Sequence, residues 1–524
     1  MEKFVGKTAI VTGTSSGSGE AIAKQLLRYG INVVGLARRV DKLEELKQEL
    51  ANSSEYKGKF YPLQCDVSKR DEVISAFNYA FENVGQIHIL VNNAAVMHNV
   101  YITDAEMEMV DGLFDVNVKS VILCSTLAVK HMAAHKIAGH IININSVLGQ
   151  VASFIKPNVY MLFSSTKHAL RVISEGLRRE MIEKKLDIKV TDLSPAFVNT
   201  EMTKNLDVPE EFKKRALRPE HVAKACISCL NTPPRVVINE LVLLPKKFRQ
   251  TFSFKIYNSF VIRVPCIQSA KYRKMERFVG KIAVITGSSS GSGLEIAKYL
   301  LRKGVHVAGI ARRTDRLQKI RDEVDNSKEY KGKFYPITCD LTNEAEIISS
   351  MKWIFENLGP VHILLNNAMI FERTRVLEAT SDQVRTSFDL SVRAVILCTK
   401  EVVKNMVENS TAGHIINIIG VAGKVILHVE PNIYMLYSSA KHALRVITEG
   451  TRREVTERNL PIKVTNLSPG YVRTDLSANL DLAPDYKDTI FETTDVAEAC
   501  MLCLDTDPDW FIAEMEFVPL HLRY

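Results

Sequence analysis

Thr12-Gly-Thr-Ser-Ser-Gly-Ser-Gly19 follows an apolar run at 8–12 and opens onto a helical pattern, and its twin Thr286-Gly-Ser-Ser-Ser-Gly-Ser-Gly293 does the same. Glycines let a backbone turn tightly and come close to a pyrophosphate. The helix that follows presents unpaired N–H groups and a partial positive charge to it. A glycine-rich loop alone is a weak signal; set between strand and helix near a domain start, and present twice, it is a strong one. Gly13, Ser15, Ser16, Gly17 and Gly19 in the first copy, and Gly287, Ser289, Ser290, Gly291 and Gly293 in the second, are expected to hold a dinucleotide. Further on, the next strand-like run ends Gly35-Leu-Ala-Arg-Arg39. Sites that take NAD usually place an acid there for the ribose 2′-hydroxyl. Arg38 and Arg39, repeated as Arg312 and Arg313, suit a 2′-phosphate instead and predict NADP(H).

The twin loops belong to a longer repeat. Glu55-Tyr-Lys-Gly-Lys-Phe-Tyr-Pro62 recurs at 329–336, Gly139-His-Ile-Ile-Asn-Ile144 at 413–418 and Lys167-His-Ala-Leu-Arg-Val-Ile173 at 441–447, each 274 residues on. The register runs from Met1/Met275 to Pro245/Pro519. So long a period means duplicated domains. In the first copy, strand-like runs at 8–12, 32–36, 60–63, 87–91, 140–145 and 188–193 alternate with helical patterns such as 18–29, 41–51 and 164–184. This alternation predicts the α/β class, with two tandem Rossmann-like domains, each a doubly wound parallel sheet. The domains are 1–245 and 275–524, joined by a linker at 246–274, and 524 residues suit two domains of about 250.

Hydrophobic residues make up 46% and charged residues 24%, a globular balance. No apolar run approaches a membrane span. Met1–Lys7 leads straight into the first strand pattern with no signal peptide, so a cytoplasmic location is expected. The net charge of +8 equals the eight basic residues of the acid-free linker, which leaves the rest neutral and gives no patch for nucleic acid. The linker is aromatic too, with Phe248, Phe252, Phe254, Tyr257, Phe260 and Tyr272. A membrane-surface segment is one reading. Lys255, Arg263 and Pro265 interrupt any apolar face and favour a plain linker. Because Met275 aligns with Met1, a third reading is that 246–274 is non-coding sequence translated between two merged neighbouring genes. Cys226 and Cys229, like Cys500 and Cys503, form CxxC pairs. They lie in a helical pattern whose buried face suits small apolar cysteines, and no metal is predicted.

Over nearly all of both halves the pattern resembles the short-chain dehydrogenases/reductases. In that family an Asp after the third strand contacts adenine, and Asp66 and Asp340 match. The family's Asn-Asn-Ala-Gly stretch appears as Asn92-Asn-Ala-Ala95 and Asn366-Asn-Ala-Met369, placing Asn93 and Asn367 at the cofactor. The Pro-Gly segment beside the nicotinamide appears as Pro195-Ala196 and Pro469-Gly470, followed by Thr200 and Thr474. Ala95, Met369 and Ala196 depart from the family pattern. Tyr434-Met-Leu-Tyr-Ser-Ser439 and the Asn-Glu-Leu ending at Asn239 are similar to the branch containing insect farnesol dehydrogenases.

The resemblance also implies the chemistry. Hydride transfer to a carbonyl leaves an alkoxide that needs a proton. The family supplies it from a Tyr, whose pKa is lowered by a Lys one helical turn on that also holds the nicotinamide ribose; a Ser orients the carbonyl and an Asn supports a water relay. In the first copy Asn117, Ser146 and Lys167 match, but Phe163 stands at the Tyr position. Tyr160 is close by, yet it recurs as Tyr434 beside an intact Tyr, which marks it as a resident of the loop. In the second copy Tyr437 and Lys441 match, with Gly420 at the Ser position and Ser391 at the Asn position. Lys167, Tyr437 and Lys441 are expected at both chemistry and cofactor. Val421, Ile426, Met435 and Tyr471 are expected to line an apolar substrate pocket.

Three readings stand. One is a weakened NADP(H)-dependent oxidoreductase of lipophilic, isoprenoid-like alcohols or carbonyls, with its activity in the second domain. Another is a nucleotide-binding pseudoenzyme or scaffold. The third is a pair of merged genes. Relatives commonly dimerise through helices near 104–135 and 161–180, so the halves are expected to pair within the chain, or the chain to form a homo-oligomer.

Overall fold

The computed structural model describes residues 1–152, 157–204, 206, 208, 210–214, 216–232, 237–245, 273–426, 432–477, 490–506 and 512–517. The linker reading at 246–274 lies outside them, save for its last two residues.

The first domain runs Thr8–Thr12 (β1), Gly17–Arg28 (α1), Asn32–Ala37 (β2), Val40–Ala51 (α2), Phe60–Gln64 (β3), Arg70–Asn83 (α3) and Ile87–Asn92 (β4). It continues with Met107–Phe114 (α4), Ser120–Ala134 (α5), Gly139–Ile144 (β5), Met161–Glu183 (α6), Ile188–Pro195 (β6), Glu210–Lys214 (α7), Pro219–Leu230 (α8) and Glu240–Leu243 (β7). The second domain repeats the plan as Ile282–Thr286 (β8), Gly291–Arg302 (α9), His306–Ala311 (β9), Thr314–Asn326 (α10), Phe334–Thr338 (β10), Glu344–Leu358 (α11) and Val361–Asn366 (β11). Ser381–Phe388 (α12), Ala394–Glu408 (α13), Gly413–Ile418 (β12), Met435–Glu457 (α14), Ile462–Pro469 (β13), Thr493–Leu504 (α15) and Glu514–Phe517 (β14) follow.

Each domain is one seven-stranded sheet, ordered β3-β2-β1-β4-β5-β6-β7 and β10-β9-β8-β11-β12-β13-β14, and every pairing is parallel. Every residue of β1, β5, β8 and β12 is buried, as parallel strands covered on both faces require. Strand order reverses between β1 and β4, and between β8 and β11. A crevice opens there beyond the carboxyl ends of the strands, the place where such sheets bind ligands. Cys226, Cys229, Cys500 and Cys503 are fully buried on α8 and α15, within the apolar layer over each sheet.

The expectation that no apolar run reaches membrane-span length needs correcting. A π-helical turn at Asp115–Lys119 joins α4 to α5, giving a continuous helix, Met107–Ala134, long and apolar enough to cross a membrane. Two thirds of its most apolar stretch is buried inside the protein.

Helices α6 and α14 pack along each other and join the two domains into one apolar core. Small residues let them approach. A Cβ placed on Gly176 would lie 2.8 Å from the Met435 Cβ, and one on Gly450 would lie 2.7 Å from the Met161 Cβ. Gly176→Ala is expected to overpack this contact and destabilise the chain by about 1–3 kcal/mol, read as a lowered thermal midpoint.

A buried carboxylate crosses the seam in each direction. Glu180 accepts the Val376 N–H at 2.5 Å and the Leu377 N–H at 3.3 Å, while Glu454 accepts the Thr103 N–H at 3.3 Å and the Thr103 hydroxyl. At the edge of the seam the Arg393 guanidinium meets Asp111 at 2.9 Å, and Lys119 lies 3.8 Å from Asp389.

Burial pushes His140, His168 and His414 down to about 3 and His442 to about 4. The folded state keeps these rings neutral, while the unfolded chain protonates them below its ordinary pKa of 6.5, so their contribution to stability is lost as pH falls through that value. Glu180, pushed up by burial to about 7, works the other way, because the folded state binds its proton below that pH. With His88, His131, His306 and His362 also lowered, eight imidazoles stand against the five carboxylates that burial raises, Glu180, Glu454, Asp111, Asp192 and Asp389, and set the net sign. The thermal midpoint is expected to fall by several degrees between about pH 7 and pH 5.

Candidate active site

The glycine loops are shaped by what presses on them. Gly13, Gly17, Gly287 and Gly291 all have positive φ. A Cβ at Gly13 would lie 2.9 Å from the Ala94 Cα, and one at Gly19 would lie 2.2 Å from the Gly13 carbonyl oxygen. Asn93 ties the loop to the end of β4: its side-chain amide donates to the Thr12 carbonyl at 2.9 Å and the Gly13 carbonyl at 3.3 Å. Asn367 repeats this on Thr286 and Gly287. These two Asn residues hold the loop that would hold the cofactor.

Ser16 and Ser290 precede α1 and α9 without capping them, so the first N–H groups of each helix keep no side-chain cap. Arg39 reaches over the loop, donating to the Ser15 hydroxyl at 3.1 Å and the Ser16 hydroxyl at 2.8 Å. Arg313 does the same to Ser289 at 2.9 Å and Ser290 at 2.6 Å. The copies then differ. Glu201 pairs with Arg39 at 2.9 Å, and this guanidinium holds its carboxyl below the ordinary range; the equivalent Asp475 pairs with Arg316 instead.

Above each loop lies a cavity of about 500 Å³ in the first domain and 480 Å³ in the second. The first is walled by Gly13, Ser15, Ser16, Gly17, Arg38, Arg39, Asp66, Asn93, Ser146, Lys167, Pro195 and Thr200. The second is walled by Gly287, Ser289, Ser290, Gly291, Arg312, Arg313, Asp340, Asn367, Tyr437, Pro469 and Thr474. Gly19, Gly293, Asn117 and Lys441 stand outside these walls. Asp66 and Asp340 each turn one carboxylate oxygen to the backbone N–H and hydroxyl two residues on, Ser68 and Thr342.

At the reacting end, α6 and α14 place residues 163/167 and 437/441 one turn apart. In the first domain Lys167 donates to the Ile144 carbonyl at 2.9 Å, and its ammonium lies 5.6 Å from the centre of the Phe163 ring. In the second, Lys441 donates to the Ile418 carbonyl at 3.0 Å and lies 5.7 Å from the Tyr437 ring centre. Burial lowers both ammonium groups to about 8. Lys441 is turned to a carbonyl, and burial, reinforced by Tyr471, pushes the Tyr437 hydroxyl upward. The lowering of this Tyr expected from its Lys is therefore not found. Tyr437 is a phenol that keeps its proton.

Asn117 lies in the π-helical turn, accepting the Val96 N–H and donating to the Val96 carbonyl, both at 2.9 Å. Ser391 occupies the same turn in the second domain and is buried. Ser146 sits at φ −164°. Gly420, its counterpart, has turned to φ +78° and ψ +160°, a region open to glycine almost alone. A Cβ there would lie 3.5 Å from the Tyr437 hydroxyl, so the position still faces the reacting centre.

Of the expected substrate-pocket residues, Val421 and Tyr471 line the cavity. Ile426 and Met435 do not. Ile426 packs on the shared core, and Met435 is buried against α6, because two residues back from Tyr437 lies the opposite face of the helix, which is spent on the other domain. Residues not foreseen take their place. Phe371 lines the cavity, stacks on Tyr434 at 5.2 Å and meets the Tyr437 ring edge-on at 4.8 Å. Met97, Leu148, Tyr160 and Phe197 line the first cavity. Their signal was proximity: Phe371 stands two residues past Met369, and Phe197 follows Ala196.

The sequence profile of the short chain dehydrogenases matches residues 7–211 and again 281–485. The protein belongs to the short-chain dehydrogenase family. Within that family it is 37% identical over 250 residues to farnesol dehydrogenase of Aedes aegypti, covering 47% of this chain and 98% of that one. It is likewise 37% identical over 254 residues to dehydrogenase/reductase SDR family member 11 of Gallus gallus, covering 47% and 98%. Both domains together match the solved structure of the C-domain of a bacterial malonyl-CoA reductase with NADP, at a TM-score of 0.72, 14% identity and 95% coverage of each chain. That likeness is one of fold. This short-chain dehydrogenase thus carries the family's architecture twice and its reacting residues in two different incomplete sets.

Proposed function

We propose that the protein is an NADP(H)-dependent oxidoreductase of a lipophilic alcohol or carbonyl compound, with turnover in the second domain and nucleotide binding in both. The observation that carries this is the intact Tyr437–Lys441 pair, with Tyr437 lining one end of a cavity whose other end holds the glycine loop and Arg313, and Lys441 buried one turn away. The farnesol dehydrogenase relative and the apolar wall of Phe371, Val421 and Tyr471 support an isoprenoid-like substrate.

The residues suit NADP(H). The glycine loops leave room only for backbone, their helix starts are uncapped, and Arg39 and Arg313 lie over them. When bound, the nicotinamide supplies or accepts the hydride. Tyr437 holds the proton for the substrate oxygen at its hydroxyl, and Lys441 provides a positive charge one turn away. With Tyr437 protonated at neutral pH, the site is set for carbonyl reduction. Arg313→Ala is expected to weaken NADPH binding to the second domain about ten- to a hundredfold and to leave NADH binding unchanged, as measured by fluorescence titration.

A second reading, nucleotide binding without turnover, draws on Gly420, whose backbone has left the conformation of Ser146. NADPH titration of the whole chain followed by turnover with farnesal and linear aldehydes separates the two readings. Turnover abolished by Tyr437→Phe supports the enzyme, and binding with no turnover supports the alternative. We also propose that the two domains act as an internal pair through α6 and α14; a solution scattering profile of two separated lobes would count against it.

A further inference from the structure

Among the positions at which the two sites differ, three bear on hydroxyl donors in the cavity. The first domain holds Ser146, Phe163 and Phe197; the second holds Gly420, Tyr437 and Tyr471. The domain that has lost the serine hydroxyl has thus gained a second phenol in the same cavity, at position 471. Tyr471 follows Pro469-Gly470 at the end of β13 and lines the same cavity as Gly420 and Tyr437. Its backbone is held by the Phe491 N–H, which donates to the Tyr471 carbonyl at 2.8 Å. The first domain holds this strand end in the same way, with the Leu217 N–H on the Phe197 carbonyl at 2.8 Å, so the ring position is set by shared backbone and the hydroxyl is the difference. Tyr471 is close enough to Tyr437 to disfavour its ionisation.

We propose that Tyr471 replaces the lost serine, donating a hydrogen bond from its hydroxyl to the substrate carbonyl oxygen while Tyr437 gives that oxygen its proton. This rests on the proposed carbonyl reduction in the second domain. The balance is that of the family reaction. A proton and two electrons would pass together as hydride from bound NADPH to the carbonyl carbon, the C=O π pair would move to oxygen, and the Tyr437 proton would complete the hydroxyl. Tyr471 keeps its own proton and stabilises the developing charge. The arrangement also accounts for Gly420. With the donor at Tyr471, position 420 needs no side chain, and the glycine-only backbone carries no penalty in function.

The test is Tyr471→Phe in the full chain, assayed with NADPH and farnesal. Phenylalanine is what the first domain already carries at this place, so folding is expected to survive. Loss of one such donor is expected to lower kcat about 10²–10³-fold, with the NADPH dissociation constant and the thermal midpoint unchanged. A kcat within threefold of wild type would overturn the assignment while leaving the proposed activity standing. A wild type that binds NADPH but turns over neither farnesal nor linear aldehydes would overturn both.

Discussion

Tyr437→Phe is expected to lower the turnover of the whole chain by about 10²–10⁴-fold, the range that a positioned general acid contributes. In the first domain the corresponding ring is Phe163, which has no proton to give, and the nearby Tyr160 is 2% exposed, wedged among Leu206 and Val208. On the proposed function, the acid step of the second site therefore rests on Tyr437, and the first site has no counterpart to it. Its burial keeps it protonated at neutral pH, and Lys441 lies 5.7 Å from its ring centre. NADPH binding should be unaltered, since the glycine loop and Arg313 sit at the other end of the cavity. Steady-state kinetics with farnesal, alongside an NADPH titration, measures both.

The reverse change, Phe163→Tyr, is expected to raise first-domain turnover by a similar factor, about 10²–10⁴. Measured in a Tyr437→Phe background, the gain is the first domain's own. The first domain lacks one atom more than it lacks a site. Lys167 stands 5.6 Å from the Phe163 ring centre, against 5.7 Å for the active pair, so a hydroxyl on this ring would occupy the place it has in the second domain. Ser146 and Lys167 line the same cavity as Phe163, so the serine hydroxyl is present at the site that the new hydroxyl would enter. Asn117 is already held by both polar groups of Val96. No gain on farnesal or linear aldehydes would mean that Met97, Tyr160 and Phe197 fill the substrate end of the cavity.

The parts of this protein legible in the sequence were those set by local rules. The glycine loops need positive φ at Gly13 and Gly287, the strands need unbroken apolar runs, and the repeat made each assignment twice. What was not legible depended on contacts across long distances. Met435 looked like a substrate contact because it precedes Tyr437 on α14, but its face is covered by Gly176 from the other domain. Asn93 looked like a cofactor ligand, and its amide is used to fasten the loop. Gly420 read as a missing donor; the turn of its backbone to φ +78° follows from no sequence pattern. The apolar helix Met107–Ala134 exceeded expectation because a π-helical turn joins two patterns that read as separate.

The pair between Arg393 and Asp111 gives the seam a polarity. One half-turn about the pseudo-twofold axis carries Arg393 onto Lys119 and Asp111 onto Arg385. Two copies of the second domain meeting by this face would set Arg393 against Arg385 where the unlike domain offers Asp111, leaving only the longer contact to Asp389 that Lys119 makes here. The second domain is thus better matched in charge to the first than to a copy of itself. Tethering the two in one polypeptide guarantees that the neighbour is always there, in equal number, however dilute the protein becomes.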